Sequence, residues 1–308
     1  MPIPPSSAGD RDDARSVAHL FDGHVLVFRA FHVMPEMPAP DGTPTGAAYG
    51  FARALLRHLE RQGATHAAVC FDFALECFRN ELYPPYKAHR GEPPPELELQ
   101  FAICQDVARA PGIPVFVQKR YEADDLLATL SARLVREGAD VRVVTTDKDL
   151  AQLVREDARV LLHDPGKDVA IDADGVRARF GVDPEQIPDF LGLVGDAVDN
   201  LPGVPGFGPK SAAGALRRFR AIEAIPEDAA SWRDCEVRSP ARLAESLARH
   251  RDQALRVRQL ATVERAVPGV EAGGRELRLR GAPRDLALPL FERLGWAGMA
   301  ARVTRWAE

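Results

Sequence analysis

Nine carboxylate residues stand in five short clusters, and three of these clusters come directly after predicted β-strands. Asp22, Asp72 and Asp147 each follow a run of apolar and β-branched residues. The nine acids are Asp22, Asp72, Glu122, Asp124, Asp125, Asp147, Asp149, Asp196 and Asp199. Because the carboxyl ends of parallel strands meet at one edge of a sheet, we expect these side chains to converge. Carboxylates this close repel one another unless a cation intervenes, so the sequence predicts a site for hard divalent metal ions.

Each cluster also has a structural explanation that competes with the metal site. Residues 122–125 can open a helix, residues 147–149 can form a capped turn, and residues 196–199 can be a solvated pair. Asp22 and Asp72 are harder to explain in this way, because each directly follows an apolar strand. The joint occurrence favours Mg²⁺ or Mn²⁺, which prefer oxygen ligands. Two such ions about 4 Å apart can promote hydrolysis of a phosphodiester.

The elements that would position these acids alternate between strand-like and helix-like segments up to about residue 165. The predicted strands are Val17–Phe21, Ala67–Phe71, Ile113–Val117, Val141–Thr146 and Arg159–Leu162. The predicted helices are Ala47–Gln62, Leu97–Ala110 and Asp124–Glu137. Short apolar strands are typical of a buried parallel sheet, and their alternation with helices predicts an α/β domain with helices on both faces.

A proline-rich segment, residues 83–95, interrupts this alternation. It is too long for an ordinary connection and too rich in proline for a strand, which favours a functional loop or lid. A surface insertion without a function is the alternative.

The C-terminal part, from Val182 onwards, has a helical pattern. A helix beginning at Asp183-Pro184 leads through a glycine-rich turn, residues 203–208, into a second helix that ends at Phe219. The turn and Lys210 can approach a phosphate closely, which predicts a grip on a nucleic-acid backbone without base readout. The other expected elements are a helix at Leu243–Leu260, a strand at Glu276–Leu279 and a helix at Leu286–Leu294.

Bulk composition is that of a globular protein. The 308 residues have 45% hydrophobic and 28% charged content, and no apolar run approaches the roughly 18 residues that span a bilayer. With the nine acids set aside, the formal net charge of −5 becomes +4, so a nucleic-acid ligand is not excluded. The four cysteines lack CxxC spacing, which favours reduced thiols in the cytoplasm. Residues 1–15 are expected to form a disordered extension.

Together these motifs resemble those of the bacterial 5′-nuclease family, which includes the N-terminal domain of DNA polymerase I and flap endonucleases. The motifs are Asp22-Gly23 with Phe28–Phe31, Phe71-Asp72 with Phe78-Arg79 and Tyr86–Arg90, Tyr121–Asp125, Thr146–Asp149, Gly195–Asn200 and Pro202–Lys210. The resemblance implies a PIN-like domain over residues 16–180, with a mostly parallel sheet and an arch insertion near residues 80–100. A helix–three-turn–helix duplex-binding domain with a helical tail would follow over residues 181–308.

The resemblance also implies roles for single residues. One divalent ion would be held by Asp22, Asp72, Glu122, Asp124 and Asp125. A second would be held by Asp147, Asp149, Asp196 and Asp199. Three basic side chains would face the scissile phosphate, namely Arg79, Lys87 and Arg90, and Tyr86 would stack a terminal base. Duplex DNA would be held by Gly203, Gly206, Phe207, Gly208, Lys210 and Ser211, with a monovalent cation such as K⁺ in the turn.

The activity implied is that of a monomeric, metal-dependent 5′→3′ exonuclease and flap endonuclease with two Mg²⁺ or Mn²⁺ ions. Its partners would be DNA with 5′ single-stranded ends, flaps or branches, and no membrane. His24, Thr146 and His89 depart from the usual family pattern without removing a carboxylate. The chain stops at Glu308 without a polymerase region, so a standalone nuclease is expected. The alternatives are a branched-DNA binding protein without catalysis and a PIN-type ribonuclease.

Overall fold

The apolar runs of the N-terminal half form a sheet in the computed structural model, which describes residues 16–233 and 235–307. Its strands are Val17–Asp22 (β1), His66–Phe71 (β2), Val115–Val117 (β3), Asp140–Val144 (β4), Val160–Asp164 (β5) and Val169–Ile171 (β6). The expected disordered extension, residues 1–15, lies outside the described residues.

The strand order is β3-β2-β1-β4-β5-β6, and all pairs are parallel except β5 with β6. The central strand β1 lies between β2 and β4. Asp22 is in register with Cys70 of β2, and Phe21 with Val144 of β4. The acids that follow these three strands therefore emerge at the same edge of the sheet.

Helices cover the sheet and form the C-terminal part. They are Gly23–Val33 (α1), Gly46–Gln62 (α2), Phe78–Leu82 (α3), Pro95–Arg109 (α4), Ala123–Arg136 (α5), Ala173–Phe180 (α6), Ile187–Val194 (α7), Pro209–Phe219 (α8), Pro240–Ala261 (α9), Gly274–Leu277 (α10) and Arg284–Arg293 (α11). Short 3₁₀ turns occur at Asp149–Leu153, Pro184–Gln186, Ile222–Ala224, Ala229–Trp232 and Ala300–Arg302. None of the helices within the described ranges is both long enough and apolar enough to cross a bilayer.

The side chains of β1 alternate between two apolar cores, because successive residues of a strand point to opposite faces. Leu20 packs in the core that contains Leu126 of α5 and Leu247 of α9. Phe21 packs in the core that contains Phe51 of α2. Both cores therefore join the sheet to C-terminal helices, the first through α9 and the second through Phe291 of α11.

The predicted mostly parallel sheet with helices on both faces is confirmed. The strand predicted at Glu276–Leu279 is wrong: the chain forms α10 there, and the Glu276 carboxylate accepts the Gly273 N–H at 2.9 Å. The sequence pattern does not reveal α1, β6 or α6. Helix α1 is hidden because Asp22 ends β1 and also caps α1 by accepting the Val25 N–H at 3.1 Å, which leaves no loop between them.

Three histidines are buried together between α2 and the sheet, away from the acidic edge. The His19 and His58 rings share a hydrogen bond of 3.0 Å, and the His163 ring lies 4.8 Å from the His58 ring. The pKa of His19 is lowered to about 4, mainly by burial and also by the positive charge of Arg142 and by His163. Burial also lowers the pKa of His58 to about 3, together with its two histidine neighbours, and Asp168 opposes this.

We expect the rings of His19 and His58 to destabilise the fold as the pH falls. A histidine with a depressed folded-state pKa contributes stability above its unfolded value near 6.5 and loses it as the pH falls towards the folded value. The expected loss is about 2 kcal/mol for each ring at pH 5. Denaturant unfolding of wild type and His58→Gln at pH 7 and pH 5 should show a smaller pH dependence in the variant. Equal pH dependence would contradict this account of His58.

Candidate active site

The acidic edge of the sheet is built by the ends of β1 and β2 and by the start of α5. The Asp22 carboxylate is 3% exposed and accepts the Thr145 hydroxyl at 2.9 Å. Asp72 follows β2, and its carboxylate accepts the Ala123 N–H of α5 at 2.6 Å. The first bond ties Asp22 to the residue that follows β4, and the second holds Asp72 against the helix that carries Asp124.

A cleft of about 970 Å³ opens at this edge. The members of the five acidic clusters that line it are Asp22, Asp72, Glu122, Asp124 and Asp147. The pKa of Asp22 is raised to about 7, mainly by burial; the Val25 N–H opposes this rise, and the Asp147 carboxylate adds to it. Burial, followed by Asp147 and Asp22, likewise raises the pKa of Asp124 well above its usual range. The mutual repulsion of these carboxylates is not fully offset by nearby positive charge, and a bound divalent cation would remove that repulsion.

A second group of acids forms where the turn after β4 meets the segment after α7. Carboxylate oxygens of Asp149, Asp196 and Asp199 lie within 4.8 Å of one another. Lys148 donates to Asp149 at 2.9 Å and also forms an ion pair with Asp196. The pKa of Asp149 is raised to about 7, first by burial and then by the Asp147 carboxylate, while Lys148 opposes the rise. The donor set of three clustered carboxylates fits a hard divalent ion.

Asp147 connects the two groups. Its carboxylate accepts the Asp149 N–H at 2.8 Å, and it also lines the cleft with Asp22 and Asp124. The structure therefore brings acids from all five sequence clusters to one edge of the molecule.

Arg79 and Asp125 lie elsewhere than expected. Arg79 is 2% exposed and Asp125 is fully buried, so neither faces the cleft. The guanidinium forks onto the two Asp125 oxygens at 2.7 and 2.8 Å, and it also donates to the Leu260 carbonyl at 2.7 Å. A buried guanidinium needs a partner for each donor, and these partners join α3 and α5 to the end of α9. This arrangement corrects the expectation that Arg79 faces the scissile phosphate and that Asp125 binds a metal ion.

We expect the loss of Arg79 to destabilise the fold. In Arg79→Met the Asp125 carboxylate stays buried without its charged partner, and Glu122 keeps only Lys87 and Tyr86, which should cost about 3 kcal/mol or more of unfolding free energy. Denaturant unfolding in EDTA measures this cost. Adding Asp125→Asn to Arg79→Met should recover part of it, because the two side chains interact directly. An unfolding free energy unchanged in Arg79→Met would show that the pair does not support the fold.

Tyr86 is also placed differently from the expectation. It is 3% exposed, and its hydroxyl donates to Glu122 at 3.0 Å and lies 3.2 Å from an Asp199 oxygen. A ring packed in this way presents no free face for stacking a base. Sequence reasoning did not identify the aromatic side chains that do line the cleft, namely Phe28, Phe71, Phe73 and Phe101. Their only sequence signal is that they lie close to the acids or in the helix after the proline-rich segment.

The side chains of Phe28, Phe71, Phe73 and Phe101 form an aromatic wall of the cleft, and His24, which departs from the family pattern, belongs to it. Its ring lies 4.6 Å from the Phe101 ring at a shallow angle of 31°, and its Nδ1 is 3.6 Å from an Asp72 oxygen. The ring also accepts the Asp72 N–H at 3.2 Å. His24 therefore orients an acid of the cleft as well as shaping its wall.

Lys87 and Arg90 lie at the cleft as expected. Lys87 forms an ion pair with Glu122 and lies 3.8 Å from an Asp199 oxygen, and Arg90 pairs with Asp199 at 2.6 Å. Burial acts to lower the pKa of Lys87, but the carboxylates of Glu122 and Asp199 raise it overall, so this amine stays charged. Glu122 shows the reverse balance: burial acts to raise its pKa, but Lys87 and Arg79 lower it to about 2.

The proline-rich segment is folded against the C-terminal part. Lys87 has a φ of 53°, and its N–H donates to the Asp199 carbonyl at 3.0 Å. The Asn200 side chain donates to the Pro85 carbonyl at 2.8 Å. The segment that carries Lys87 and Arg90 is therefore anchored by the same loop that carries Asp196 and Asp199.

The glycine-rich turn packs tightly on the end of α7. A Cβ at Gly203 would lie 2.2 Å from the Val194 carbonyl oxygen, and Gly206 has a φ of 91°. The Gly208 N–H donates to the Ser211 hydroxyl at 2.9 Å, which caps α8. Phe207 is buried, whereas Gly206 and Lys210 are exposed. Phe207 and Ser211 therefore shape the turn, and Lys210 is the member of the predicted set that offers a free charge to a ligand.

The fold and the site together define an α/β domain with an acidic cleft, joined to a helical pair with a glycine-rich turn. A family model described as the 5′-3′ exonuclease N-terminal resolvase-like domain matches residues 17–181. A second, described as the 5′-3′ exonuclease C-terminal SAM fold, matches residues 182–285. The chain therefore belongs to the 5′-3′ exonuclease family.

Curated relatives agree with this assignment. DNA polymerase I of Bacillus caldotenax is 37% identical over 279 residues, which are 90% of this chain and 31% of the relative. A 5′-3′ exonuclease of Aquifex aeolicus is 37% identical over 207 residues, which are 67% of this chain and 71% of the relative. The chain thus spans about a third of the length of the polymerases it matches.

Solved structures share the fold. The T5 D15 protein co-crystallised with metal ions aligns over 90% of this chain and 99% of its own, with a TM-score of 0.67 and 20% identity. The catalytic core of Rad2 in complex with DNA substrate aligns over 92% of this chain and 89% of its own, with a TM-score of 0.55 and 16% identity.

Proposed function

We propose that this protein is a metal-dependent 5′→3′ exonuclease and structure-specific endonuclease that hydrolyses phosphodiesters of DNA at 5′ flaps. The observation that carries the proposal is the meeting of two groups of acids at one cleft, with Asp147 between them and Lys87 beside them. Family membership supports the activity, and the divalent ions are proposed to be Mg²⁺ or Mn²⁺.

The acids divide naturally into two ligand sets. One set would be Asp22, Asp72, Asp124 and Asp147, with Glu122 beside them. The other would be Asp149, Asp196 and Asp199. Divalent ions bound there would supply an activated water and stabilise the leaving oxygen. Asp147 is placed to serve both sets, because it contacts Asp149 and also lines the cleft.

The basic side chains would bind and orient the scissile phosphate. Lys87 and Arg90 both line the cleft and carry permanent positive charge within reach of the acids. Lys87 would stabilise the negative charge that develops on the phosphate in the transition state. Arg79 would act only indirectly, by fixing Glu122 at 2.9 Å from its guanidinium. A terminal base would stack on the aromatic wall, where Phe28 is 39% and Phe73 56% exposed.

Substrate DNA would contact two parts of the chain, a catalytic part up to about residue 180 and a helical part beyond it. The glycine-rich turn and Lys210 would hold the duplex backbone, with a monovalent cation such as K⁺ in the turn. Residues 83–94, between α3 and α4, would border the entrance for a 5′ single strand. A T5 D15 flap endonuclease of the same fold has been described as a pseudo-enzyme-product complex with DNA and metal ions.

We further propose that the protein acts as a monomer in the cytoplasm. All four cysteines are buried as free thiols, which suits a reducing compartment.

Cleavage of a labelled 5′-flap duplex tests the proposal against both alternatives. Mg²⁺ should permit cleavage near the flap junction, and EDTA should abolish it. Binding of the flap without cleavage in Mg²⁺ or Mn²⁺ would favour a DNA-binding protein that lacks catalysis. Faster cleavage of an RNA flap than of a DNA flap of the same geometry would favour a PIN-type ribonuclease.

A further inference from the structure

A second cavity, of about 600 Å³, lies at the opposite edge of the sheet from the acidic cleft. It is lined by His66, the first residue of β2, whereas Asp72 follows the last residue of β2. A strand of six residues separates the two cavities by about 20 Å, since each residue advances about 3.3 Å. This cavity is therefore distinct from the proposed active site.

Four arginines converge on this cavity, which we call the arginine pocket. They are Arg275, Arg278, Arg280 and Arg305. All four are exposed, and among the described residues none of them forms an ion pair with a carboxylate. The pocket thus gathers four positive charges that no carboxylate of the described residues pairs with directly, in a chain whose formal net charge is −5.

Backbone pairing fixes the positions of these arginines. Leu279 is buried, and its N–H donates to the Thr65 carbonyl at 2.8 Å, so Arg278 and Arg280 on either side of it point outward. The Ala282 N–H donates to the Arg305 carbonyl at 2.9 Å, which brings the C-terminal segment alongside.

The carboxylates of the same region are occupied by backbone groups. Glu276 accepts the Gly273 N–H at 2.9 Å, and Glu137 accepts the Gly274 N–H at 2.8 Å. The Gly273 N–H, with smaller contributions that include Arg275, lowers the pKa of Glu276. The Glu276 carboxylate is therefore ionised and hydrogen-bonded to the first turn of α10. Neither acid is placed as a bidentate partner for the arginines.

We propose that the arginine pocket is a second phosphate-binding site, which takes phosphate groups of a nucleic-acid segment outside the cleft. Guanidinium groups match phosphate oxygens in a bidentate manner, and several around one cavity favour a multiply charged anion. The volume lies within the range of about 300–1,000 Å³ that is usual for ligand pockets. The phosphate chemistry follows from the pocket alone, whereas the choice of nucleic acid rests on the proposed function.

Binding of inorganic tripolyphosphate in EDTA tests the phosphate chemistry without catalysis. By calorimetry, Arg278→Glu with Arg305→Glu should weaken binding at least about tenfold. The matched control is Arg53→Glu with Arg57→Glu, two exposed residues of α2 with the same change of charge, and it should bind within about twofold of wild type. Equal affinity in the pocket variant and wild type would overturn the site.

A single-stranded oligonucleotide distinguishes a nucleic-acid segment from a free phosphate compound. Fluorescence anisotropy should show about tenfold weaker binding to the pocket variant than to the α2 control, while a short flap that fills only the cleft is cleaved at the wild-type rate. Loss of tripolyphosphate binding with unchanged oligonucleotide binding would overturn the assignment to a strand. If wild type cleaves no flap but the tripolyphosphate result holds, the proposed function fails and the phosphate site stands.

Discussion

Replacing Asp147 by alanine is expected to lower the single-turnover rate of 5′-flap cleavage by at least about 10³-fold. Asp147 accepts the Asp149 N–H and lines the cleft, so its loss would disturb both groups of acids. A loss of this size corresponds to about 4 kcal/mol of transition-state stabilisation, which is within what bound metal ions contribute. Rapid quench with enzyme in excess over a labelled flap substrate measures the rate.

Asp106→Ala is the matched control for this substitution. Asp106 is an exposed acid of α4 that pairs with Arg109 at 3.4 Å. Its loss should leave the cleavage rate within about twofold of wild type, because surface ion pairs contribute little. A rate for Asp147→Ala close to that of this control would remove Asp147 from the catalytic machinery.

Lys87→Ala should slow cleavage by about 10²- to 10³-fold while DNA affinity falls only modestly. The amine lies in the cleft beside Glu122 and Asp199, where it would meet charge that develops in the transition state. Divalent-ion binding should not weaken, because the substitution removes a positive charge next to the acids. Single-turnover rates, flap affinity in Ca²⁺ and Mn²⁺ titration separate these effects.

The exposed Lys119 supplies the control, since Lys119→Ala removes the same charge outside the cleft. Equal losses of rate and affinity in Lys87→Ala would show that this residue only anchors the phosphate. Weaker Mn²⁺ binding would show instead that its contact with Glu122 organises the ligands.

The sequence predicts the acidic cleft well because its signal is local. Asp22 and Asp72 directly follow apolar strands, and parallel pairing of those strands brings their ends together without any further information. Strands β1 to β5 and helices α2, α4 and α5 follow from the same short-range pattern, whereas α1, β6 and α6 do not.

Tertiary pairing explains the residues that sequence reasoning misplaced. Arg79 lies 46 positions before Asp125, and only the packed structure reveals that each satisfies the other in the interior. The family resemblance implies a stacking role for Tyr86, but its hydroxyl instead lies between Glu122 and Asp199. Spacing along the chain cannot separate an acid that binds a cation from one already paired with arginine.

Manganese binding to the DNA-free protein tests the central claim most directly. We predict two Mn²⁺ ions per chain by calorimetry for wild type, and loss of one of them in Asp149→Asn with Asp196→Asn. The unfolding free energy of that variant, measured in EDTA, should show that it remains folded. Absence of saturable Mn²⁺ binding to wild type, or binding that these two substitutions leave unchanged, would contradict the account.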